Sequence, residues 1–267
     1  MSCDKLVVIG REMMMLENFL NKSLVVKKHG IARLPYRHFF ELIDGSFLQV
    51  GERKSGHSAS VRYEFNPNKC VPEVVWGILR CIKFERYSRI DIAIDYYGID
   101  LGGAMWIQHF ERTKGINYYV DGGGRLETLY IGSRESNLMH RIYDKARERK
   151  KAGEEVEGFW WRVEAECKFD KEQAIHPWYN PFERIECLLE NDFGGLAMKD
   201  RAMVEYLQRH PNEWSKLDSR NKRKYRDMIA GESSKLNPSP SDVYKKENDK
   251  LYQQLVAYEE IMFKIVI

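Results

Sequence analysis

Several segments in the middle of the chain alternate apolar and polar side chains with a period of two, which is the period of a β-strand. Arg89–Tyr97 and Trp160–Phe169 show this pattern most clearly. Arg125–Ser133, a short turn and Leu138–Lys145 together predict a β-hairpin. If these strands share one sheet, its polar face holds the side chains of Asp91, Asp95, Arg141, Tyr143, Lys145, Glu164 and Glu166.

The rest of the chain extends this sheet and then changes to helices. Ser46–Val50 and Ala59–Phe65 are short alternating runs, and Pro72–Glu85 has the apolar spacing of a helix. From about Lys171 onwards the spacing is helical. The helices predicted there are Arg201–Gln208, Lys222–Ile229 and a last helix capped by Ser241. The sequence therefore predicts an α+β fold, with a mainly antiparallel central sheet in residues 1–170 and a helical part in residues 171–267.

Composition and charge exclude several classes of protein. The chain has 267 residues, 43% apolar and 31% charged, which is typical of a soluble globular protein rather than a disordered one. Five cysteines without C-x-x-C spacing argue against a disulfide framework and a zinc site. The apolar stretch Met1–Val26 is broken by charged residues, so we expect no signal peptide and a cytoplasmic location.

The predicted polar face has the residue types of metal-assisted phosphoryl chemistry. Carboxylate oxygens suit Mg²⁺ or Mn²⁺, and such an ion polarises a phosphoryl oxygen. Tyr143 lies between Arg141 and Lys145, whose positive charges are expected to favour the ionised phenol. A solvated strand face is the alternative interpretation of the carboxylates, and the spacing alone leaves it open.

Five short runs around these residues occur in a fixed order along the chain. They are Tyr63–Lys69, Arg89–Asp95, Tyr130–Arg134, Arg141–Lys145 and Trp161–Glu166. Together they resemble the replication initiators of small staphylococcal and related Gram-positive rolling-circle plasmids. The likeness extends from about Arg33 to the last helix.

The resemblance implies a dimeric nicking and closing enzyme that acts at a double-strand origin. Its tyrosine, matched by Tyr143, becomes joined to the 5′ phosphate and frees a 3′ hydroxyl that primes synthesis. The acidic strands match the proposed metal ligands Asp91, Asp95, Glu164 and Glu166. The resemblance also implies recruitment of a host helicase. On this hypothesis residues 1–170 form the nicking domain, and residues 171–267 serve DNA recognition and dimerisation.

Two basic runs are candidates for DNA contact. His140–Lys151 holds six Lys/Arg residues against two acidic ones, and Lys216–Arg226 holds six against one. Such polarised charge fits a phosphate-binding face, although a solvated helix end is the alternative for either run. The residues expected to contact DNA are Arg141, Lys145, Arg147, Arg220, Asn221, Lys222, Arg223 and Lys224.

Two other functions remain open at this point. A relaxase of a conjugative or mobilisable element nicks its transfer origin by the same chemistry. A DNA-binding regulator without enzymatic activity would use the basic runs while the acidic strands face solvent.

Overall fold

The structure is a computed structural model, and it describes residues 1–13, 16–22, 24–33, 35–52, 59–109, 115–169, 179–189, 193–232 and 234–263. The strands in these segments are β1 (Ser2–Glu12), β2 (Val26–Ile31), β3 (Tyr36–Leu42), β4 (Phe47–Gly51), β5 (Ser60–Phe65), β6 (Ile82–Tyr97), β7 (Met105–Gln108), β8 (Ile116–Val120), β9 (Leu126–Ile131), β10 (Leu138–Asp144), β11 (Trp160–Lys168) and β12 (Ile185–Leu188). The helices are α1 (Leu16–Lys22), α2 (Pro72–Leu79), α3 (Lys145–Lys151), α4 (Met198–Arg209), α5 (Ser219–Glu232) and α6 (Pro240–Phe263), with a 3₁₀ helix at Pro211–Lys216.

Ten of the described strands form one sheet, in the order β2-β3-β4-β5-β1-β6-β11-β10-β9-β8. From β2 to β5, each strand pairs antiparallel with the next one along the chain, and β5 pairs antiparallel with β1. At the other edge β8, β9 and β10 also pair antiparallel, while β7 and β12 make a separate antiparallel pair. Helices α4 to α6 follow the sheet along the chain. The predicted α+β class is therefore confirmed.

The helix predicted at Pro72–Glu85 is wrong in its second half. Helix α2 ends at Leu79, and the chain continues from Ile82 as the 16-residue strand β6. A single apolar residue such as Ile82 fits the helical and the strand period equally well. Its place in β6, which lies between β1 and β11, decides in favour of the strand.

Strand β1 and helix α3 were not predicted, for two different reasons. In β1, Leu6, Val7 and Val8 are all buried, because a strand inside a sheet that is covered on both faces has no alternation. Helix α3 is a run of charged residues with little apolar periodicity. Its start depends on Asp144, whose side chain accepts a hydrogen bond from the Arg147 backbone N–H at 2.8 Å.

The chain divides into two compact units that are not consecutive stretches of sequence. The first unit contains Met1, Ala93–Ala165 and Asn180–Lys246, and the second contains Ser2–Ile92, Glu166–Tyr179 and Glu247–Ile267. The chain passes between them within β6, β11 and α6. The expected domain division near residue 170 stays a prediction, and the helical start expected at Lys171 lies outside the described residues.

The helical part of the first unit has an apolar core of its own. Helices α4 and α5 supply Val204, Leu207, Tyr225 and Ile229 at helical spacings of three and four. The other buried members are Met105, Leu188, Phe193. Leu188 belongs to β12, a strand inside the region predicted to be helical, and at four residues it is too short to show a clear period.

In the second unit, helix α6 packs against β5 and β6. The Tyr87 hydroxyl donates to the Leu255 carbonyl at 3.0 Å, and the rings of Phe65 and Tyr258 meet edge to face at 5.3 Å. Leu251, Leu255 and Met262 of α6 are buried, so the apolar face of this helix is packed within the chain itself.

The N-terminal cap of α6 is Ser239 and not the predicted Ser241. The Ser239 hydroxyl accepts from the Asp242 backbone N–H at 3.2 Å and donates to the Asp242 carboxylate at 2.7 Å. Pro240 occupies the first helical position, where its fixed φ angle and missing N–H fit.

Candidate active site

Tyr143 lies on β10, one of the inner strands of the first unit. On one side β10 pairs with β9, which places Arg141 opposite Tyr130 and Tyr143 opposite Thr128. On the other side its neighbour in the sheet is β11. Arg141 and Tyr143 are two positions apart and therefore face the same way, towards Glu164 of β11. The sequence prediction that these side chains share one face is confirmed.

The Tyr143 hydroxyl is held by a carboxylate. It donates a hydrogen bond to Glu164 Oε1 at 2.9 Å, while Arg141 donates to Glu164 Oε2 through Nε at 3.0 Å and Nη2 at 2.6 Å. Lys145 Nζ lies 3.5 Å from the same hydroxyl and also pairs with Glu148. Both cations also lie over the Tyr143 ring, with Arg141 Cζ 4.5 Å and Lys145 Nζ 5.5 Å from the ring centroid.

This environment raises the pKa of Tyr143, because burial and Glu164 outweigh the cation that was expected to favour the phenolate. The side chain is only 7% exposed, and burial disfavours the charged form most strongly. The Glu164 carboxylate raises the pKa further, and Arg141 opposes it without reversing the direction. The phenol is therefore protonated at neutral pH and can act as a nucleophile only if a base removes its proton.

Asp95, the second predicted ligand in this unit, is bound to an arginine. Arg162 donates to both Asp95 oxygens at 2.7 Å, and the Trp160 indole N–H donates to Oδ1 at 2.7 Å. These residues continue the face of β11 that carries Glu164. The two predicted ligands in the first unit, Asp95 and Glu164, thus each have a guanidinium partner that neutralises their charge.

The other two predicted ligands lie in the second unit and are also paired. Arg89 donates to both oxygens of Asp91 at 2.6 and 2.7 Å, and it pairs with Glu166 at 2.6 Å. Lys168 lies 3.0 Å from the other Glu166 oxygen. Burial raises the pKa of Asp91, with Arg89 acting in the opposite direction.

These carboxylates do not fit a divalent ion as they are arranged. Among the described residues, no three His, Cys, Asp or Glu side chains lie close enough together to hold a metal. Each predicted ligand already has a cationic partner, so the attraction that Mg²⁺ or Mn²⁺ would feel is largely offset. An ion would have to displace Arg141 from Glu164, or Arg162 from Asp95, to gain a charged ligand.

The basic run that follows Tyr143 is neutralised within the protein. Arg147 pairs with Glu127 at 2.6 Å and lies 3.7 Å from Asp121. Arg149 pairs with Glu154 at 2.6 Å. With Arg141 and Lys145 also paired, the positive charge of this run is directed mostly at acidic side chains of the same unit.

The second basic run lies mostly in the first half of α5, and its side chains are divided between inward and outward ones. Asn221 donates to Asp218, the acceptor at the start of the helix, and Lys224 pairs with Asp200 of α4 at 2.7 Å. Lys222 Nζ lies 3.5 Å from the Ser215 carbonyl. Arg220 is exposed, and the Arg223 side chain is 87% exposed, 3.8 Å from Asp227. The outward cations of α5 therefore include Arg220 and Arg223, and Arg226 is exposed as well, beside the Trp214 ring.

Comparison with known proteins assigns the family. A family model described as replication initiation factor matches residues 85–236, which is more than half of the chain. The chain belongs to the replication initiation factor family. The match contains most of β6 and all of β9, β10 and β11, and with them Tyr143, Arg141, Lys145 and Glu164.

Relatives of this family member agree with that assignment. Two replication initiation proteins of Staphylococcus aureus are 32% identical over 212 residues and 31% identical over 216 residues. Each match covers 77% of this chain, and the chain spans 65% of the length of each relative. The sequence-based resemblance to staphylococcal replication initiators is confirmed. The solved structure of a rolling-circle replication initiator from Geobacillus stearothermophilus is 15% identical, with a TM-score of 0.40, over 63% of this chain and 74% of that one.

His140 of this family member faces away from the tyrosine. It is fully buried, and its Nε2 donates to the Pro181 carbonyl at 2.8 Å. Residues at an odd spacing on a strand point to opposite faces, so His140 is a core residue of the first unit.

None of the helices in the described segments combines the length and the apolar character that a membrane crossing requires.

Sequence reasoning missed the direct contact between Glu164 and Tyr143, and the pairing of Asp95 with Arg162 and Trp160. The signal was present, because all five side chains lie on the polar faces of alternating segments. What the pattern lacks is the register between strands, which decides whether a carboxylate meets another carboxylate or a cation.

Proposed function

We propose that this chain initiates rolling-circle replication of a small plasmid by nicking one strand of the double-strand origin through Tyr143. The single observation that carries the proposal is the hydrogen bond from the Tyr143 hydroxyl to Glu164, between Arg141 and Lys145. A buried, protonated phenol with a carboxylate at 2.9 Å has the arrangement of an activated nucleophile and its general base. Membership of the replication initiation factor family supports the same assignment.

In the proposed reaction, the Tyr143 oxygen attacks a backbone phosphorus and its proton passes to Glu164 Oε1. The bond between phosphorus and the 3′ oxygen breaks, and that oxygen takes a proton from water, which releases hydroxide to the solvent, to become the free 3′ hydroxyl. The 5′ phosphate remains on Tyr143 as a phosphodiester. Rejoining is the reverse: a 3′ hydroxyl gives its proton to hydroxide from the solvent and attacks the phosphotyrosine, and Glu164 returns its proton to the phenolate.

Charge balance gives Arg141 a role in this step. While Glu164 is ionised, Arg141 is bound to it. Once Glu164 is protonated it no longer holds the guanidinium by charge, and the negative charge has moved to the phosphoryl oxygens. Arg141 and Lys145 are then the nearest described cations to Tyr143 and can stabilise that charge in a site largely closed to water.

The resemblance implies a Mg²⁺ or Mn²⁺ cofactor, and the paired carboxylates do not fit one as they are arranged. No step above depends on the ion. The proposal includes recognition of origin DNA by α5, where Arg220 and Arg223 point outwards. It also includes a homodimer and recruitment of a host helicase, both of which rest on the resemblance alone.

The test uses supercoiled plasmid that carries the chain's own double-strand origin, with Mg²⁺ or Mn²⁺ supplied. The wild type is expected to nick it and to form a covalent protein–DNA adduct, and Tyr143→Phe is expected to do neither while it still binds the origin. An active Tyr143→Phe protein would reject the assignment. Origin binding by the wild type without any nick would favour the DNA-binding regulator instead.

A further inference from the structure

Aromatic side chains reach the surface where β6 ends and β11 begins. The Tyr97 side chain is 65% exposed, and its ring centroid lies 5.3 Å from that of Trp160 with the planes tilted by 31°. Phe159, next to Trp160 in sequence, is also about half exposed. Single exposed aromatic residues are common, but two aromatic rings packed together at the surface form a patch that points to a binding partner, and Tyr97 and Trp160 form one here.

The ring behind Tyr97 is rigidly held. Trp160 donates from its indole N–H to Asp95, and the guanidinium carbons of Arg149 and Arg162 lie 5.8 and 6.0 Å from its ring centroid. A ring fixed by a hydrogen bond and flanked by two cations loses little conformational freedom when something stacks beside it. Both guanidinium groups are themselves paired with carboxylates, Arg149 with Glu154 and Arg162 with Asp95, so they hold the ring in place.

This patch lies on the same face of the sheet as the candidate active site. Tyr97 follows Asp95 by two positions on β6, and Trp160 precedes Glu164 by four positions on β11. At about 3.3 Å per residue, the Trp160 and Glu164 positions are about 13 Å apart. That distance corresponds to roughly four stacked nucleotide steps.

We infer that Tyr97, backed by Trp160, is a stacking platform for an unpaired base of the DNA strand that is cut at Tyr143. The inference rests on the proposed function and adds that the bound strand is single-stranded beside the nick. Only an unpaired base offers an open ring face, and stacking on an aromatic side chain tolerates any base. Continuity with the Tyr143 site, on the same face of the sheet, favours a nucleic acid strand over an apolar protein segment.

The first experiment measures binding of fluorescein-labelled oligothymidine by anisotropy, in the Tyr143→Phe background so that no covalent chemistry intervenes. Tyr97→Ala is expected to weaken binding on the order of tenfold, whereas Tyr97→Phe keeps the ring and keeps the affinity. Tyr97→Leu retains apolar bulk without a π-face and should behave like alanine. Tyr252→Ala, which removes an exposed tyrosine from α6, is the matched control and should change nothing.

Wild-type affinity in Tyr97→Ala or in Tyr97→Leu would overturn the inference, as would an equal loss in Tyr252→Ala. A second readout needs no substitution: oligothymidine carrying 5-iododeoxyuridine is photo-crosslinked to the wild type, and the modified peptide is mapped. The crosslink is expected on the peptide with Tyr97 or on the one with Phe159 and Trp160. Crosslinks found only elsewhere would contradict the platform.

The platform and the proposed function fail in different ways. If the wild type forms no adduct with origin DNA but Tyr97→Ala still loses oligothymidine binding, the nicking proposal fails and the platform stands. If adducts form on Tyr143 while Tyr97→Ala binds oligothymidine like the wild type, the platform alone fails.

Discussion

The two basic runs carry similar charge in the sequence and use it differently in the structure. In the run at His140–Lys151, Arg141, Lys145, Arg147 and Arg149 each have a carboxylate partner in the first unit. In the run at Lys216–Arg226, Arg220 and Arg223 point to solvent from α5. Formal charge therefore does not tell which run binds DNA. On the proposed function, the first run serves the chemistry at Tyr143 and the second attracts DNA.

The largest expected effect is on the chemistry beside the first run. Glu164→Gln removes the proposed base and keeps the shape of the side chain, so nicking is expected to fall on the order of a hundredfold to ten-thousandfold. Origin binding should stay within about twofold of the wild type, because the carboxylate only repels phosphate. A nicking time course at saturating protein measures the first quantity, and a gel shift measures the second. Full nicking activity in Glu164→Gln would assign the base to another group.

The pH dependence of nicking distinguishes the wild type from Glu164→Gln. In the wild type, burial and the Glu164 charge hold the pKa of Tyr143 above its ordinary value of 10.0, so the phenol stays protonated between about pH 7 and pH 9. The wild-type rate should therefore stay nearly flat over that range. In Glu164→Gln the negative neighbour is gone, so the pKa of Tyr143 falls relative to the wild type although burial still raises it. The residual rate should then rise about tenfold per pH unit, as ionisation by hydroxide takes over. Equal slopes for the two proteins would contradict a base role for Glu164.

A smaller effect is expected on the affinity for origin DNA, and it distinguishes the two basic runs. Arg220→Ala and Arg223→Ala are each expected to weaken origin binding by about three- to tenfold and, for a phosphate contact, to reduce the salt slope by about one unit. Arg147→Ala is the matched control in the first run. It should change binding by less than about twofold, since Glu127 and Asp121 already hold its guanidinium. A larger loss for Arg147→Ala than for Arg223→Ala would reverse the comparison.

The smallest expected effect concerns the helix that carries the first run. Asp144→Ala removes the acceptor of the Arg147 N–H at the start of α3 and should lower the free energy of unfolding by about 1 kcal/mol. Asp144→Asn keeps an acceptor there and should cost much less. Urea unfolding followed by circular dichroism compares the two. Equal stabilities for the alanine and asparagine variants would show that α3 does not depend on this cap.

Much of the fold was predictable because alternation marks strands with one polar face. That pattern predicted the hairpin of β9 and β10, the strand β11, and the common face of Arg141, Tyr143 and Glu164. It failed for β1, where both faces are buried, and for the start of β6, where Ile82 fits a helix equally well.

The electrostatics of the site were not predictable in the same way. Residue type places Asp95 and Glu164 on a polar face. Only the cross-strand register shows that Arg162 forms an ion pair with Asp95 and Arg141 with Glu164. Residue type also suggested that two cations would lower the pKa of Tyr143. The burial of the ring and the nearness of Glu164 reverse that direction, and both depend on packing.

The most direct test of the account is to locate the covalent bond. The wild-type protein is allowed to nick its origin, the DNA is digested to a short remnant, and the tryptic peptides are analysed by mass spectrometry. The account predicts a nucleotide attached through its 5′ phosphate to Tyr143 and absent from that peptide in Glu164→Gln sampled at the same early time. A nucleotide found on any of the other fourteen tyrosines, or on no residue while nicking proceeds, would contradict it.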